Sequence, residues 1–472
     1  MLTRRNFLTQ TTLAGMAAGA SPLLAAPRSP DWMLGLADIA DDIAPQTLTR
    51  LHGAAPPLTG TLYRNGPARF RRGASAVGHW FDGDGLVRAW RIREGTASLA
   101  ARFVDTPKRR LEEALGRIVQ PGFGTMAGHG NVVAGPDDVN AANTNVIAVG
   151  DRLLALWEGG SAFALDPETL ATQGPVTFRP DLAGMPFLAH PRLDATGRIW
   201  NLGTSGAAAF IWRLAADASF EAGEMVRLPM ASYIHDFTAT ARHLVIVCQP
   251  WIAESSDLPF LSRFAWRPER GTRVLVIDKD DLSRIREYDL PPLFFFHLGE
   301  AIEEADGTIR FDGCFHEDPR FAMSGAPALV EGRNEDHERP ELTLVTLRPN
   351  GRAHLARAGF TAEFPRSMAD SAGLAGHRTI HLGGYASERP FARTLGIWDW
   401  GSGTADSFNF GERQLVEEFV QAGRWLVGTT LNLAARASEL HIFDARRVSD
   451  GPLVSWRSEI ALPLTFHGNW AA

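Results

Sequence analysis

The stretch Tyr233-Ile-His-Asp-Phe-Thr-Ala-Thr-Ala-Arg-His-Leu-Val-Ile-Val247 predicts a β-strand, a short turn at residues 240–242 and a second strand rich in β-branched residues. His235 lies inside the first predicted strand, beside Asp236. A single histidine in such a strand is more often a hydrogen-bonded core residue than a metal ligand. The same setting recurs elsewhere in the chain, and this recurrence favours the metal-ligand interpretation.

Four of the fourteen histidines end or interrupt apolar segments that are far apart in the sequence, namely His190, His235, His297 and His467. Imidazole is a common ligand for iron, zinc, copper and nickel. Ligands from distant strands come together only when the fold closes on itself. The pattern therefore predicts a metal site at the centre of a closed fold.

From about residue 60 onward, short apolar strands alternate with turns, as in the hairpin predicted for residues 145–157 around a Gly-Asp turn. A loose signature of strand, Asp, three residues and Leu or Val recurs irregularly at 164–170, 276–282 and 442–448. Helical patterns are confined to residues 106–120 and a short segment near 45–51. Many short strands with weak recurrence predict an all-β fold, a β-propeller.

The composition is that of an ordinary globular protein, with 472 residues, 45% of them hydrophobic and 21% charged. Length alone suggests two to four domains. No linker or low-complexity stretch divides residues 27–472, however, so we expect a single propeller domain there. The net charge of −7 gives no reason to expect nucleic-acid binding. Cys248 and Cys314 are the only cysteines, and they could form a bridge or stay free and buried.

The N-terminus carries a twin-arginine pattern, Thr3-Arg4-Arg5-Asn6-Phe7-Leu8, followed by a weakly apolar segment rich in Ala and Gly. We expect residues 1–26 to be a twin-arginine signal peptide, cut near Ala25 or Ala26, and the mature protein to be periplasmic or extracellular. This route exports folded proteins, which suits a protein that loads its cofactor before export. No other stretch reaches the roughly 20 apolar residues of a membrane span.

A series of short motifs follows in a specific order along the chain: Leu62-Tyr-Arg-Asn-Gly-Pro67, Gly78-His-Trp-Phe-Asp-Gly-Asp-Gly-Leu86, Asn143-Thr-Asn-Val146, Leu154-Ala-Leu-Trp-Glu-Gly159, Ala189-His-Pro191, Ile234-His-Asp-Phe237, Phe364-Pro-Arg366 and Phe466-His-Gly-Asn469. In this order they resemble the carotenoid cleavage oxygenases, a family that includes stilbene-cleaving dioxygenases and the retinoid isomerohydrolase. The resemblance extends from about residue 35 to the end. It implies a seven-bladed propeller with a ferrous ion on its axis, beneath a cap of loops and short helices.

The resemblance assigns the same four histidines as iron ligands, and it adds three glutamates that orient the rings. Glu158 matches the one that holds His235, and Glu363 the one that holds His297. The third should hold His467. There the family motif Glu-Pro-x-Phe-Val reads Val416-Glu-Glu-Phe-Val420, so the register is ambiguous, and we prefer Glu417 over Glu418.

The implied activity is that of an iron(II) dioxygenase that splits a carbon–carbon double bond of a carotenoid or apocarotenoid into two carbonyl products, with no protein acid, base or nucleophile. The expected partners are dioxygen and an apolar polyene; we expect a monomer, with peripheral membrane contact as one way to extract the substrate. The alternatives are a stilbene-cleaving dioxygenase, or a binding or hydrolytic propeller with a structural metal. In the stilbene-cleaving branch a lysine precedes the first glutamate. Here the residue is Trp157, which favours a long polyene.

Other candidate ligands and lining residues receive simpler interpretations. We expect His79, Asp82 and Asp84 to shape turns rather than to form a calcium loop. Four further histidines at turns or polar ends are not expected to bind metal, namely His243, His316, His377 and His381. Aromatic residues that could line an apolar tunnel, or belong to the core, are Trp251, Phe260, Phe264 and Phe294–Phe296.

Overall fold

The computed structural model describes residues 29–126, 128, 132–335, 338–368, 373–386 and 389–472. Residues Asp31–Ala472 form one compact unit. The predicted signal peptide, residues 1–26, lies outside the described residues. In the part of the chain that the structure describes, no helix is both long enough and apolar enough to cross a membrane.

Seven antiparallel sheets form the blades of a β-propeller, which confirms the predicted fold. Five of them follow one another along the chain, each starting with its inner strand. Blade 1 consists of Asn145–Val149, Arg152–Leu156, Phe163–Leu165 and Thr172–Pro175. Blade 2 consists of Arg192–Leu193, Ile199–Ser205, Ala208–Leu214 and Phe220–Arg227. Blade 3 consists of Thr238–Ala239, His243–Cys248, Thr272–Asp278 and Ile285–Leu290.

The next two blades follow the same plan. Blade 4 consists of Phe294–Leu298, Ile309–His316, Glu341–Leu347 and Ala353–Thr361, with the short strand Ile302–Glu303 paired to the second of these. Blade 5 consists of Glu363–Ser367, Arg378–Gly383, Thr394–Asp399 and Thr404–Asn409. Buried aliphatic side chains pack between neighbouring blades, as Leu202 and Ile211 of blade 2 do with Leu244 and Leu275 of blade 3.

The last two blades combine both ends of the chain, which closes the ring. Blade 6 consists of Gln414–Ala422, Trp425–Asn432, Ala437–Asp444, Val454–Arg457 and the N-terminal strand Thr49–Gly53. Blade 7 consists of the C-terminal strand Gly468–Ala471 followed by Gly60–Arg69, Asp84–Arg93, Thr96–Phe103 and Ile43–Thr47.

The helix predicted near residues 45–51 is wrong, because this segment contributes edge strands to blades 6 and 7. Its backbone pairs with Thr96–Phe103 and Val454–Arg457, and such tertiary partners override local propensity. Pro45 is tolerated because it lies in an edge strand. The helix predicted at 106–120 is present but shorter, at Pro107–Leu115: the Thr106 side chain caps its start, and Gly116 ends it with a φ of 63°.

Loops and short helices connect the blades, and some of them form a cap over one end of the propeller. The connecting elements include the helix Ala326–Val330 and the π-helix Phe321–Gly325. The 3-10 helices among them are Asp31–Leu36, Trp80–Asp82, Pro136–Val139, Pro180–Leu182, Phe260–Arg263, Pro268–Arg270, Leu374–Gly376 and Val448–Asp450. Two strand pairs complete the set, Trp251–Ala253 with Phe264–Trp266 and Arg71–Arg72 with Ser75–Ala76. The apolar underside of the cap includes Phe81, Phe123, Phe260 and Phe321.

The inner strands position the four predicted ligands. His190 and His235 precede the inner strands of blades 2 and 3, His297 lies within that of blade 4, and His467 directly precedes that of blade 7. The first strand predicted in the 233–247 stretch is therefore shorter than expected, at Thr238–Ala239, whereas the second is confirmed at His243–Cys248.

Candidate metal centre

The four histidines converge on the propeller axis. One ligand atom from each of His190, His235, His297 and His467 lies within 4.8 Å of the ligand atoms of the other three. The Nε2 atoms of His190 and His235 are 3.1 Å apart, and the ring centroids of His190 and His467 are 4.4 Å apart. Among the described residues this is the one group of three or more His, Cys, Asp or Glu side chains that could hold a metal ion.

Three of the four rings contact a carboxylate through Nδ1. Glu158 contacts Nδ1 of His235, Glu363 lies 2.6 Å from Nδ1 of His297, and Glu418 lies 3.3 Å from Nδ1 of His467. A hydrogen on Nδ1 that is donated to the carboxylate leaves the Nε2 lone pair free to bind a metal. Within the described part of the chain, no carboxylate contacts the ring of His190.

The preference for Glu417 as the carboxylate on His467 is wrong, because Glu418 occupies that place. Glu417 instead accepts hydrogen bonds from the backbone N–H of Thr465 and the hydroxyl of Thr429, both at 2.5 Å. A bulge between Val416 and Phe419 makes this register unreadable from the sequence.

The electrostatics of the cluster suit a metal site. Burial and the three neighbouring rings hold the pKa of His190 well below its usual value. Burial also lowers the pKa of His467 to about 3, although Glu418 opposes the shift. Burial disfavours the charged Glu363, but His297 outweighs it and the pKa of Glu363 falls well below its usual range. Neutral imidazoles held by ionised carboxylates are the form of the ligands that binds a divalent metal.

A cavity of about 690 Å³ opens directly beside the cluster, and His235, His297 and His467 form part of its wall. Its remaining wall is mainly apolar, and its aromatic residues include Phe81, Trp157, Phe260, Phe264, Phe296 and Phe321. Of the aromatic residues whose role the sequence left open, Phe260, Phe264 and Phe296 line this cavity, whereas Trp251, Phe294 and Phe295 are completely buried. Such a cavity fits a flat apolar ligand.

Comparison with known proteins gives the family. The family model described as retinal pigment epithelial membrane protein matches residues 37–472. The chain belongs to the carotenoid cleavage oxygenase family. Like its relatives, it is an oxidoreductase of the dioxygenase type, as the motifs predicted.

Two curated relatives and one solved structure illustrate the similarity. The apocarotenoid-15,15'-oxygenase of Synechocystis sp. is 28% identical over 461 residues, which cover 89% of this chain and 92% of the relative. Resveratrol cleavage oxygenase 1 of Aspergillus fumigatus is 25% identical, over 83% of this chain and 85% of the relative. The crystal structure of cobalt-substituted Synechocystis apocarotenoid oxygenase is 25% identical and covers 93% of this chain and 98% of that one, with a TM-score of 0.83.

The oxygenase also has contacts around its three carboxylates that the sequence did not predict. The hydroxyl of Tyr233 donates to Glu158, whose two oxygens lie at 3.1 and 3.0 Å. Nε of Arg366 donates to Glu418 at 2.8 Å. Nε2 of His316, one of the histidines set aside, lies 3.7 Å from Glu363. Each contact joins different blades or distant segments, so no local sequence signal marks it.

Other residues set aside as structural have structural contacts. The side chain of His79 caps the helix Trp80–Asp82, and the carboxylate of Asp82 accepts from the backbone N–H of Phe123 at 2.6 Å. Asp84 forms a buried ion pair with Lys108 at 2.8 Å. Both cysteines are free and buried, and burial raises the pKa of Cys248 to about 12.

Proposed function

We propose that this oxygenase is a non-haem iron(II) enzyme that cleaves a carbon–carbon double bond of a carotenoid or apocarotenoid into two carbonyl products. The observation that carries the proposal is the four-histidine cluster, with three rings held by carboxylates, in the wall of an aromatic cavity. A hydrolytic propeller centred on calcium would require oxygen ligands, whereas the four side chains of this cluster are imidazoles.

The donor set fits a divalent transition metal. His190, His235, His297 and His467 would hold it through imidazole nitrogens, and Glu158, Glu363 and Glu418 would fix three of the rings. Imidazole suits iron, zinc, copper and nickel, and only a redox-active metal suits an oxygenase. When bound, iron(II) supplies the activation of dioxygen next to the alkene.

The reaction balances without a further reductant. Both bonds of the C=C unit break, each carbon gains one oxygen atom, and the alkene carbons provide the four electrons that reduce dioxygen. No proton is gained or lost overall. The protein therefore has to orient the alkene beside the metal and exclude water, and the aromatic wall with Phe296 and Trp157 performs both tasks.

The cavity favours a polyene over a hydroxystilbene. Trp157 is half-buried and lines the cavity immediately before Glu158, at the position where the stilbene-cleaving branch is expected to carry a lysine. None of the described residues that line this cavity is a lysine: Lys108 is buried in an ion pair with Asp84, and Lys279 lines a different cavity. An indole offers a wide apolar face to a conjugated chain but cannot stabilise a phenolate as an ammonium does.

The test is a direct competition under ¹⁸O₂. Iron-loaded protein is incubated with carotenoids, apocarotenoids and 4-hydroxystilbenes, and the products are analysed by mass spectrometry. We expect two carbonyl products from a polyene, each with one labelled oxygen, and one iron per chain by metal analysis. Efficient cleavage of a 4-hydroxystilbene with every polyene left intact would refute the substrate assignment. Calcium, or no metal, in the active protein would refute the iron assignment.

We also propose that the enzyme is exported by the twin-arginine route and acts outside the cytoplasm. The support is the sequence of residues 1–26. Changing both Arg4 and Arg5 to Lys should retain the protein in the cytoplasm, as measured by cell fractionation and by the mass of the mature N-terminus. Normal export of this double variant would show that another route is used.

A further inference from the structure

A second cavity, of about 650 Å³, also reaches the histidine cluster. We call it the axial cavity. It is lined by residues that follow the ligands in the sequence, such as Arg192 after His190, Thr240 after His235 and Asn469 after His467. The aromatic cavity is lined instead by residues that precede the ligands, such as Leu188 and Phe466. Because the inner strands run along the axis, the two cavities approach the cluster from opposite sides.

The two cavities differ in chemistry. The axial cavity is lined by four carboxylates, Asp194, Asp236, Glu300 and Glu418, and by three cationic side chains, Arg192, Lys279 and Arg366. The cations are engaged with local partners. Arg192 pairs with Asp236 at 2.7 Å, Arg366 pairs with Glu418 at 2.8 Å, and Nζ of Lys279 donates to the carbonyl of Thr240 at 2.7 Å.

Solvent reaches the axial cavity at a mouth that carries an acidic group. Ala195, Thr196 and Ala241 are exposed there, and the side chain of Glu300 is 50% exposed. At the inner end lies His190, which lines the axial cavity but not the aromatic one. His190 and His297 are the half-buried members of the cluster, and His190 has no carboxylate on its ring among the described residues. His297 and His467 also line the axial cavity, so an ion arriving along this path would reach three of the four histidines directly.

We propose that the axial cavity is the path by which the metal ion enters and leaves its site, separate from the path of the polyene. The inference rests on the proposed metal site, but not on the identity of the metal or of the substrate. The carboxylates that line the aromatic cavity are those beside the histidines, and the other charged residues of its wall are the cations Arg263 and Arg339. A divalent cation that crossed this cavity would therefore lose water ligands before it met any carboxylate, which is costly in a mainly apolar environment. Carboxylates along the axial cavity, such as Asp194 and Asp236, replace those water ligands, and Glu300 at the mouth attracts the ion.

The experiment measures metal exchange directly, with Co²⁺ as a spectroscopic probe. Metal-free protein is mixed with Co²⁺ in a stopped-flow instrument for the association rate, and loaded protein is mixed with a chelator for the release rate. Ala195→Trp places a large side chain at the axial mouth. Ser205→Trp, at an exposed position that lines the aromatic cavity, is the matched control.

Obstruction of a path has a characteristic signature, because it slows entry and exit equally and leaves the equilibrium constant unchanged. We expect Ala195→Trp to slow both rates of Co²⁺ exchange by the same factor, while turnover of enzyme loaded beforehand with iron stays normal. Ser205→Trp should leave both rates of metal exchange unchanged. If Ser205→Trp slows exchange and Ala195→Trp does not, or if neither does, the axial path is refuted.

Charge reversal at the mouth gives an independent test. Glu300→Lys should slow Co²⁺ association by about 3–10-fold at low salt and weaken its salt dependence, since the acidic group attracts the ion only through a field that salt screens. Glu287→Lys, on the exposed outer strand of blade 3, is the matched control and should have no effect. Equal effects of the two substitutions would refute a specific role for the mouth. A wild-type protein that binds no Co²⁺ would instead refute the proposed metal site itself.

Discussion

Two histidine–glutamate pairs on opposite sides of the metal centre differ in what holds the glutamate. Glu158, which contacts His235, receives hydrogen bonds from the neutral hydroxyl of Tyr233. Glu418, which contacts His467, is held by the guanidinium of Arg366 at 2.8 Å, and by that of Arg64 at 3.5 Å. The same pair of residue types is therefore supported by a neutral donor in one case and by two cations in the other.

The pKa values of the two histidines differ accordingly. Burial lowers the pKa of both rings, but Glu158 outweighs it at His235, whose pKa is raised above the ordinary histidine value of 6.5. At His467 burial prevails and the pKa falls to about 3. The negative charge of Glu158 acts mainly on its histidine, whereas that of Glu418 is shared with guanidinium groups that join blades 5, 6 and 7. One carboxylate thus serves mainly the metal site, and the other serves the closure of the ring as well.

Removal of an imidazole should have the largest effect on turnover and iron content. The effect should be the same for the histidines on both sides of the metal centre. Replacing any of His190, His235, His297 and His467 by Ala should abolish turnover and lower the iron content, because in the proposed site each would supply one ligand to the same ion. Iron is measured by elemental analysis and turnover by product formation. A variant with full iron content and full turnover would exclude that histidine from the ligand set.

Glu418→Gln should have the next largest effect, on folding as well as on metal binding. The change removes the carboxylate that Arg366 contacts and one of the two acidic neighbours of the fully buried Arg64, the other being Glu417. Loss of one partner from a buried ion pair destabilises a protein by about 3–5 kcal/mol. Denaturant unfolding of the metal-free protein measures the effect. Glu158→Gln is the comparison, and an equal loss of stability in both variants would contradict the difference described above.

Glu158→Gln should lower the affinity for the metal rather than the stability of the fold. An amide can still contact His235, but it no longer supplies a negative charge, and such changes typically lower metal affinity or activity by about 10–100-fold. Glu363→Gln should have a similar effect at His297. Affinity is measured by titration against a competing chelator. A metal affinity equal to that of the wild type would show that the charge of Glu158 is not needed at His235.

The opposite pKa shifts predict different proton release when metal binds. Metal requires a neutral ring, so at pH values below its raised pKa His235 must lose a proton, whereas His467 is already neutral above about pH 3. Metal affinity should therefore rise with pH near neutrality. Calorimetry in buffers of different ionisation enthalpy counts the protons released, and this number should fall in Glu158→Gln. An unchanged number would contradict the role of Glu158.

The same shifts set the pH dependence of stability in the metal-free protein. The raised pKa of His235 in the folded state adds to the free energy of unfolding. This addition is complete below the unfolded-state pKa of 6.5 and is lost as the pH rises through the raised folded-state pKa. His467 acts in the opposite sense. Its contribution is present above pH 6.5 and is lost as the pH falls toward its folded-state pKa of about 3.

The sequence predicted which four histidines come together because each lies at the end of, or within, an apolar segment, a setting that is visible locally. It predicted Glu158 and Glu363 through ordered motifs. It favoured Glu417 over Glu418 wrongly because a strand bulge, which depends on pairing with Trp425–Asn432, decides which side chain faces the axis. The contacts of Tyr233, Arg366 and His316 join segments that come together only in the closed ring. Local sequence patterns do not predict such long-range contacts.

Tyr233→Phe should have the smallest effect, and it isolates the neutral donor that distinguishes Glu158 from Glu418. The ring of Tyr233 remains in its aromatic cluster, so the change removes the hydrogen bond to Glu158 and the 3.5 Å contact of the hydroxyl with Nδ1 of His235, with a cost of about 1 kcal/mol or a few-fold in metal affinity. With one donor fewer, Glu158 should attract the proton of His235 more strongly and raise its pKa further. An NMR titration of the metal-free protein measures this pKa. Tyr63→Phe, which removes a hydrogen bond to the carbonyl of Pro167 in another part of the molecule, is the matched control. A His235 pKa that is unchanged in Tyr233→Phe, or equally raised in Tyr63→Phe, would mean that the hydroxyl of Tyr233 does not tune the carboxylate.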